Sequence, residues 1–367
     1  MKILFLSAAN SIHTVRWVNA LAERGNEVTL VSKADHQEDH KNSISGKVKV
    51  IYLPVKGMKG YYLNALTLKK ICTKVGADVI NVHYASGYGT LARIARLPHI
   101  VLSVWGSDVY DFPYENRMKR YILEKNLKYA AVIASTSQVM AGQTRKFLKE
   151  NKDIYITPFG VDIKQFAPEA GIKKDAEETV FGIVKSLSPK YGIGMIIWAF
   201  TVLVNRLTDE EKKRVRLEIY GKGEQEAELK ALTEKLHMEE KVFFRGWVPN
   251  NQVPDILRGL DIFVLGSERE SESFGVAAVE AMACGIPVVA TSVSGFREVI
   301  ENGVTGFLVP VRDTDAMARR MMELYRDRGL RKRLGEQGRR RVERLYDWDS
   351  CVDRMLECYK KGLRKRN

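Results

Sequence analysis

Ile3-Leu4-Phe5-Leu6, then Thr14–Arg24 closed by Gly25, then Val28–Val31: this opening stretch decides the fold. The first four residues are a short apolar run that reads as a strand. Thr14–Arg24 reads as a helix, and Gly25 stands where a helix turns into the left-handed region at its C′ position. Val28–Val31 is a second strand. Strand, helix, strand in this order implies a parallel βαβ unit. The alternation continues outward through Val48–Leu53, Val79–Val82, Ile100–Val104, Val132–Ser135 and Ile154–Ile156. Amphipathic or polar stretches such as Leu63–Lys74 and Arg117–Tyr129 separate several of these runs. The pattern breaks near Thr157-Pro158-Phe159-Gly160-Val161-Asp162, and the charged segment Pro168–Glu178 reads as a linker. A second series follows, at Val180–Val184, Leu217–Tyr220, Val242–Arg245, Ile262–Leu265, Val288–Ala290 and Phe307–Val309. Beyond Asp313 the chain reads as helix to its end. The expected class is α/β, with two Rossmann-like, doubly wound parallel sheets over 1–165 and 166–345 and a terminal segment over 346–367. Functional loops belong at the carboxyl ends of the strands, facing a cleft between the halves.

Composition agrees with this class. The 367 residues are 45% hydrophobic and 28% charged, enough for two cored domains and unlike a disordered or fibrous chain. No apolar run approaches the ~20 residues that span a bilayer. Met1-Lys2 leads straight into the first strand, so no secretory leader is expected. Cys72, Cys284, Cys351 and Cys358 have neither metal-ligand nor disulfide spacing, and reduced thiols in a cytoplasmic chain are the expectation. The net charge is +14, made of +10 in residues 1–170, −4 in 171–310 and +8 in 311–367. A basic face attracts polyanions. No nucleic-acid motif accompanies Arg339-Arg340-Arg341 or the Lys360–Arg366 tail. These runs read either as a solvated helix face or as a site for anionic membrane or acceptor phosphate, with peripheral contact at the inner membrane face.

The segment richest in chemistry runs from Glu272-Ser273-Phe274-Gly275-Val276 through Glu280 to Ala281-Met282-Ala283-Cys284-Gly285-Ile286-Pro287-Val288-Val289-Ala290. It reads as a loop ending in Gly275, a short apolar helix carrying Glu280, and a buried strand. Two carboxylates eight residues apart suit the hydroxyls of one elongated ligand, and unpaired N–H groups at a helix start suit phosphate. Taken alone, Glu280 reads equally as an ordinary helix residue and Glu272 as an acid favoured by the helix dipole.

Glu-x7-Glu followed by Ala-Met-Ala-Cys-Gly-Ile-Pro-Val-Val-Ala resembles the signature of the GT-B retaining glycosyltransferases of family four, the group 1 glycosyl transferases. Further pieces match in order: Ser11–Trp17, Trp105-Gly106-Ser107-Asp108, Phe159–Asp162, Gly221-Lys222-Gly223, Gly246-Trp247-Val248-Pro249 and Ser294–Glu298. The resemblance implies a terminal helix crossing back to the first domain. It implies that Glu280 binds the donor ribose and Glu272 the transferred sugar, with the amides of Phe274, Gly275 and Val276 near sugar and phosphate. Ser273, Gly221 and Val248 fall on the donor side by the same likeness. Ser11, His83 and Trp105 fall on the acceptor side, where His13 would contact phosphate or acceptor and Asp108 would orient an acceptor hydroxyl. The family commonly carries Arg and Lys after the first strand of the second domain. This chain reads Lys185-Ser186-Leu187-Ser188-Pro189-Lys190-Tyr191, with Ser186 and Tyr191 in those places and Lys185 and Lys190 one residue earlier.

Other chemistries lack their motifs. Gly221-Lys222-Gly223 imitates a dinucleotide loop, but its third glycine is replaced by Glu226; no GxxxxGK[ST] loop, nucleophile elbow or zinc set is present. The expected activity is retaining transfer of a hexose or N-acetylhexosamine from a nucleotide diphosphate sugar, UDP favoured over GDP, to a hydroxyl acceptor of a surface polysaccharide or glycolipid. No cofactor and no metal are expected, because helix dipole and lysines would stabilise the leaving diphosphate. The alternative is a non-catalytic sugar-nucleotide-binding or assembly protein that keeps the fold.

Overall fold

A computed structural model describes residues 1–38, 43–168 and 178–364. Most of the expected linker, 169–177, lies outside the described residues, as does the end of the basic tail. The chain packs as two units, Met1–Phe159 with Asp349–Asn367, and Gly160–Trp348.

The first unit holds seven parallel strands: β1 (Lys2–Leu6), β2 (Glu27–Lys33), β3 (Val48–Leu53), β4 (Val79–His83), β5 (Val101–Val104), β6 (Val132–Ser135) and β7 (Ile154–Ile156). Their spatial order is β3-β2-β1-β4-β5-β6-β7, so the winding reverses between β1 and β4. Leu4 pairs with Thr29 on one side and Ile80 on the other, and Ile3 to Leu6 are fully buried. The following helix, Ile12–Glu23, ends as expected: Gly25 takes φ +76°, and Asn26 N–H reaches back to the Leu21 carbonyl.

The second unit holds six parallel strands: β8 (Thr179–Val184), β9 (Val215–Tyr220), β10 (Val242–Gly246), β11 (Ile262–Leu265), β12 (Val288–Thr291) and β13 (Gly306–Val309). Their order is β10-β9-β8-β11-β12-β13, with the reversal between β8 and β11. Helix Ile193–Asn205 buries Ile196, Ile197, Phe200 and Leu203 completely.

The final stretch is not one helix. It is divided into Thr314–Arg326, Arg328–Leu345 and Trp348–Arg364. Asp327 starts the second of these by accepting the Leu330 N–H at 2.8 Å. Asp347 instead forms a bridge with Val161. The unit border therefore falls beyond Asp347 rather than at 345/346. On the other side it falls after Phe159, because Arg339 grips the Ile163 and Phe166 carbonyls and holds that segment to the second unit. The last helix belongs to the first unit, where Tyr359 is fully buried and Arg24 bonds Asp349 and Asp353.

Candidate functional site

In open parallel sheets, ligands collect where the strand order reverses, outside the carboxyl ends of the strands. In the second unit those ends belong to β8, which leads into Lys185, and β11, which leads into the loop of Glu272. Lys185 Nζ lies 3.0 Å from Glu272 Oε2 and 4.5 Å over the Tyr191 ring. Burial works against the Lys185 charge, but Glu272, then Tyr191 and Glu280, outweigh it and hold the ammonium above the usual lysine range. Lys190 Nζ donates to the Ser271 carbonyl at 3.3 Å and lies 5.6 Å over the same Tyr191 ring. Both cations thus converge on the loop that carries Glu272. Ser186 is exposed, whereas Lys185 is half-buried. Ser271 Oγ is buried with no hydrogen-bond partner among the described residues.

Backbone packing explains why these groups meet. Gly221 has φ +149°, and a Cβ there would overlap the Lys185 carbonyl oxygen. Only glycine lets the β9 end pass that close, and the Lys185 N–H is meanwhile held by the Tyr220 carbonyl at 2.9 Å. Across the site, Glu268 N–H donates to the Lys190 carbonyl at 3.0 Å, tying the two loops together. Gly275 begins helix Val276–Ala283 with φ +83°; a Cβ would come within 2.8 Å of Phe296 Cδ1. The Glu272 carbonyl accepts from Gly295 N–H at 2.7 Å. Glu270 caps the next helix, Ser294–Val299, by accepting the Ser294 N–H at 2.9 Å and pairing with Arg297.

Of the donor-side residues, Glu272, Ser273, Phe274 and Gly275 are buried, and Val276 and Glu280 are half-buried on the helix that follows. Phe274 turns its ring onto Tyr346, 5.4 Å between centroids, so its side chain is core and its backbone is what remains for a ligand. Val248 follows β10, at the edge of the sheet, two strands from β8. Of the arginine run, Arg340 is exposed, but Arg339 and Arg341 are half-buried. Arg339 donates to the Ala283 carbonyl and Arg341 to those of Val299 and Glu298, bracing the C-terminal ends of the two helices beside the site.

The first unit gathers His13, His83 and Trp105 at the β1/β4 reversal. His13, two residues after the N-cap residue Ser11, stacks on Phe159 at 4.2 Å and meets the Trp105 edge at 5.8 Å. His83 is fully buried, 4.5 Å from Trp105. Asn81 Nδ2 donates to the Val101 carbonyl, so its Oδ1 accepts, both from His83 Nε2 at 2.7 Å and from the Tyr359 hydroxyl at 2.9 Å. His83 Nδ1 is then a buried acceptor with no hydrogen-bond partner among the described residues. Burial, and secondarily His13, keeps the ring neutral by lowering its pKa well below the usual histidine range.

Asp108, expected to orient an acceptor hydroxyl, is enclosed by the backbone of its own loops. It is 1% exposed, and its carboxylate takes the N–H groups of Ala85, Trp105 and Gly106 at 2.8, 3.1 and 2.9 Å. Burial raises its pKa against those hydrogen bonds. It fixes the loop that presents Trp105. Sequence reasoning missed Tyr191 as the ring shared by both lysines, and Tyr359 as the far anchor of His83; neither carries a local signal. Among the described residues, no cluster of three or more His, Cys, Asp or Glu side chains could hold a metal ion.

The family model for glycosyl transferases group 1 matches residues 165–341, and the model for glycosyl transferase 4-like proteins matches residues 2–137. N-acetyl-alpha-D-glucosaminyl L-malate synthase of Bacillus anthracis is 27% identical over 364 residues, covering 94% of this chain and 91% of that one. Among solved structures, sucrose-phosphate synthase from Thermosynechococcus elongatus superposes with a TM-score of 0.84 at 20% identity, covering 98% of each chain. Anabaena HepE in complex with UDP superposes with a TM-score of 0.79 at 18% identity, covering 98% of this chain and 100% of that one, and it is also solved with UDP-glucose.

Proposed function

This chain belongs to the group 1 glycosyl transferases and has their GT-B fold; on that premise we propose that it transfers a hexose or N-acetylhexosamine from a UDP-sugar to a hydroxyl acceptor, with retention and without a metal. The observation that carries the reading is the convergence of Lys185 and Lys190 on the loop of Glu272, beside the helix start that leads to Glu280. UDP is favoured because HepE is solved with UDP and UDP-glucose. An N-acetylhexosamine fits the sugar named for the Bacillus anthracis relative.

In this reading Glu280 accepts from the ribose hydroxyls and Glu272 from a hydroxyl of the transferred sugar. The amides from Phe274 to Val276 and the two ammonium groups meet the diphosphate. The bond between the sugar's anomeric carbon and the phosphate oxygen breaks, its electron pair leaving with the diphosphate. The acceptor oxygen bonds to the same face of the anomeric carbon, and its proton passes to the departing phosphate oxygen. No carboxylate nucleophile is needed, and the lysines and helix dipole offset the developing negative charge. The first unit supplies the acceptor-side groups in this reading: His13 and Trp105 with Ser11, while Asp108 and His83 act through the loops they hold. The net positive charge of the first 170 residues suits an anionic or lipid-linked acceptor.

A thermal-shift panel of UDP-, GDP-, ADP- and CMP-sugars tests this. A large shift with UDP-sugars, removed by Glu280→Ala, is the expected result. No response to any nucleotide sugar overturns it in favour of a non-catalytic assembly protein.

A further inference from the structure

We propose that the segment spanning residues 56–70 of the first unit is a docking surface for an anionic lipid bilayer. Four large apolar side chains stand out from it: Met58, Tyr62, Leu63 and Leu66 are 70%, 47%, 64% and 77% exposed. Soluble surfaces carry single exposed leucines freely, but a cluster of this kind marks an interaction site. Residues 54–77 also hold five lysines and no aspartate or glutamate. The short helices Gly60–Leu63 and Ala65–Val75 divide cleanly, with Asn64, Ala65 and Leu68 turned into the core and Leu63, Leu66, Lys69 and Lys70 exposed.

This exposure is built in and does not come from loose packing. Lys33, 1% exposed, donates from Nζ to the Gly57 carbonyl at 2.8 Å and lies 4.1 Å over the Tyr61 ring. Asp35 accepts the Gly57 N–H at 2.8 Å. Asn64 bonds Val55 through both its N–H and its carbonyl, at 3.1 and 2.8 Å. The end of β2 thus holds the apolar tips outward at fixed positions. Lysine-rimmed apolar tips fit the headgroup and acyl boundary of an anionic leaflet, where hydrophobic insertion and charge attraction add. A second copy of the same face is the poorer occupant, because it would bring two lysine-rich rims together. The inference goes beyond the transfer reading and is tested without it.

The test is co-sedimentation of the full chain with phosphatidylcholine vesicles, with and without phosphatidylserine. Binding is expected with the anionic vesicles only and weakens as salt rises. Leu63→Gln/Leu66→Gln should lower the partition coefficient roughly a hundredfold, about tenfold per leucine. Lys69→Gln/Lys70→Gln should lower it about fivefold per lysine. UDP-induced thermal shifts should be the same in these variants as in the parent, which keeps the transfer reading separate. Lys360→Gln/Lys361→Gln should leave most binding in place. Any of four results overturns the proposal: no vesicle binding, equal binding to neutral vesicles, undiminished binding by the leucine variant, or loss that follows the tail lysines. Self-association of the parent that the leucine variant abolishes would also overturn it, assigning the face to a second copy.

Discussion

Lys185→Met isolates the charge that organises the second unit's site. The substitution keeps an unbranched apolar side chain and removes the ammonium, leaving Glu272 without the cation 3.0 Å away. The two side chains are 17% and 10% exposed, so water replaces the lost partner only in part. Removing one member of a fully buried pair costs ~3–5 kcal/mol; partial access here reduces that to roughly 2 kcal/mol. For a unit of this size that is a Tm drop of about 4–8 °C by calorimetry. Glu272→Gln in the same background should recover part of the loss, giving a coupling of about 1–2 kcal/mol in the double-mutant cycle. UDP affinity should fall about 10- to 100-fold, the worth of a charge-assisted hydrogen bond to phosphate. The pH dependence has a definite sign. The folded pKa of Lys185 is raised, so its contribution is complete below the ordinary lysine value of 10.5 and is lost as pH climbs through the folded value above it. The stability gap between parent and variant should therefore be flat from neutral pH to that point and shrink beyond it. A coupling below ~0.5 kcal/mol, the ordinary scatter of independent sites, together with unchanged UDP affinity, would refute the pairing as the basis of the site.

Three further outcomes follow from the same geometry. Gly221→Ala should destabilise the second unit by about 2 kcal/mol and raise KM for the donor, because the added Cβ meets the Lys185 backbone and cannot be relieved by a rotamer change; calorimetry and donor titration read both. Turnover with a UDP-sugar should persist in EDTA, and its abolition would remove the metal-free reading. Stability of the first unit should decline as pH falls below about 6.5, since unfolded His83 takes a proton that the buried ring resists; His83→Phe should flatten that part of the pH–Tm profile.

The strands were legible because parallel strands buried on both faces appear as short continuous apolar runs, and each of the thirteen runs read from the sequence is a strand. The terminal region was not. Arg328–Leu345 and Trp348–Arg364 lack any glycine or proline between them, and what separates them is Asp347 pairing with Val161, a contact from elsewhere in the chain. The roles of Arg339 and Arg341 are not legible either, because they donate to backbone carbonyls, which a residue pattern cannot display. The surroundings of Asp108 are hidden for the same reason: the N–H groups of Ala85, Trp105 and Gly106 that its carboxylate accepts are backbone groups. Glu272 and Lys185 stood out singly, but their pairing depends on β8 and β11 being neighbours, which is a property of the winding.

The winding also shows why the place of one cation matters. Lys185 follows β8 directly, while its backbone still pairs with Tyr220 of β9, so the alternation of the strand governs which way it faces. A slip of one residue in such a segment turns a side chain to the opposite face. That is what the sequence displays: Lys185 reaches Glu272, while the adjacent Ser186 is exposed. Five residues on, Lys190 sits in the middle of the tight turn Pro189–Tyr191, which brings the second ammonium back over the same ring. Tyr191, standing where the resemblance expects a lysine, gives the two displaced lysines a common face to pack on, so the departure from the usual pattern is a coordinated one.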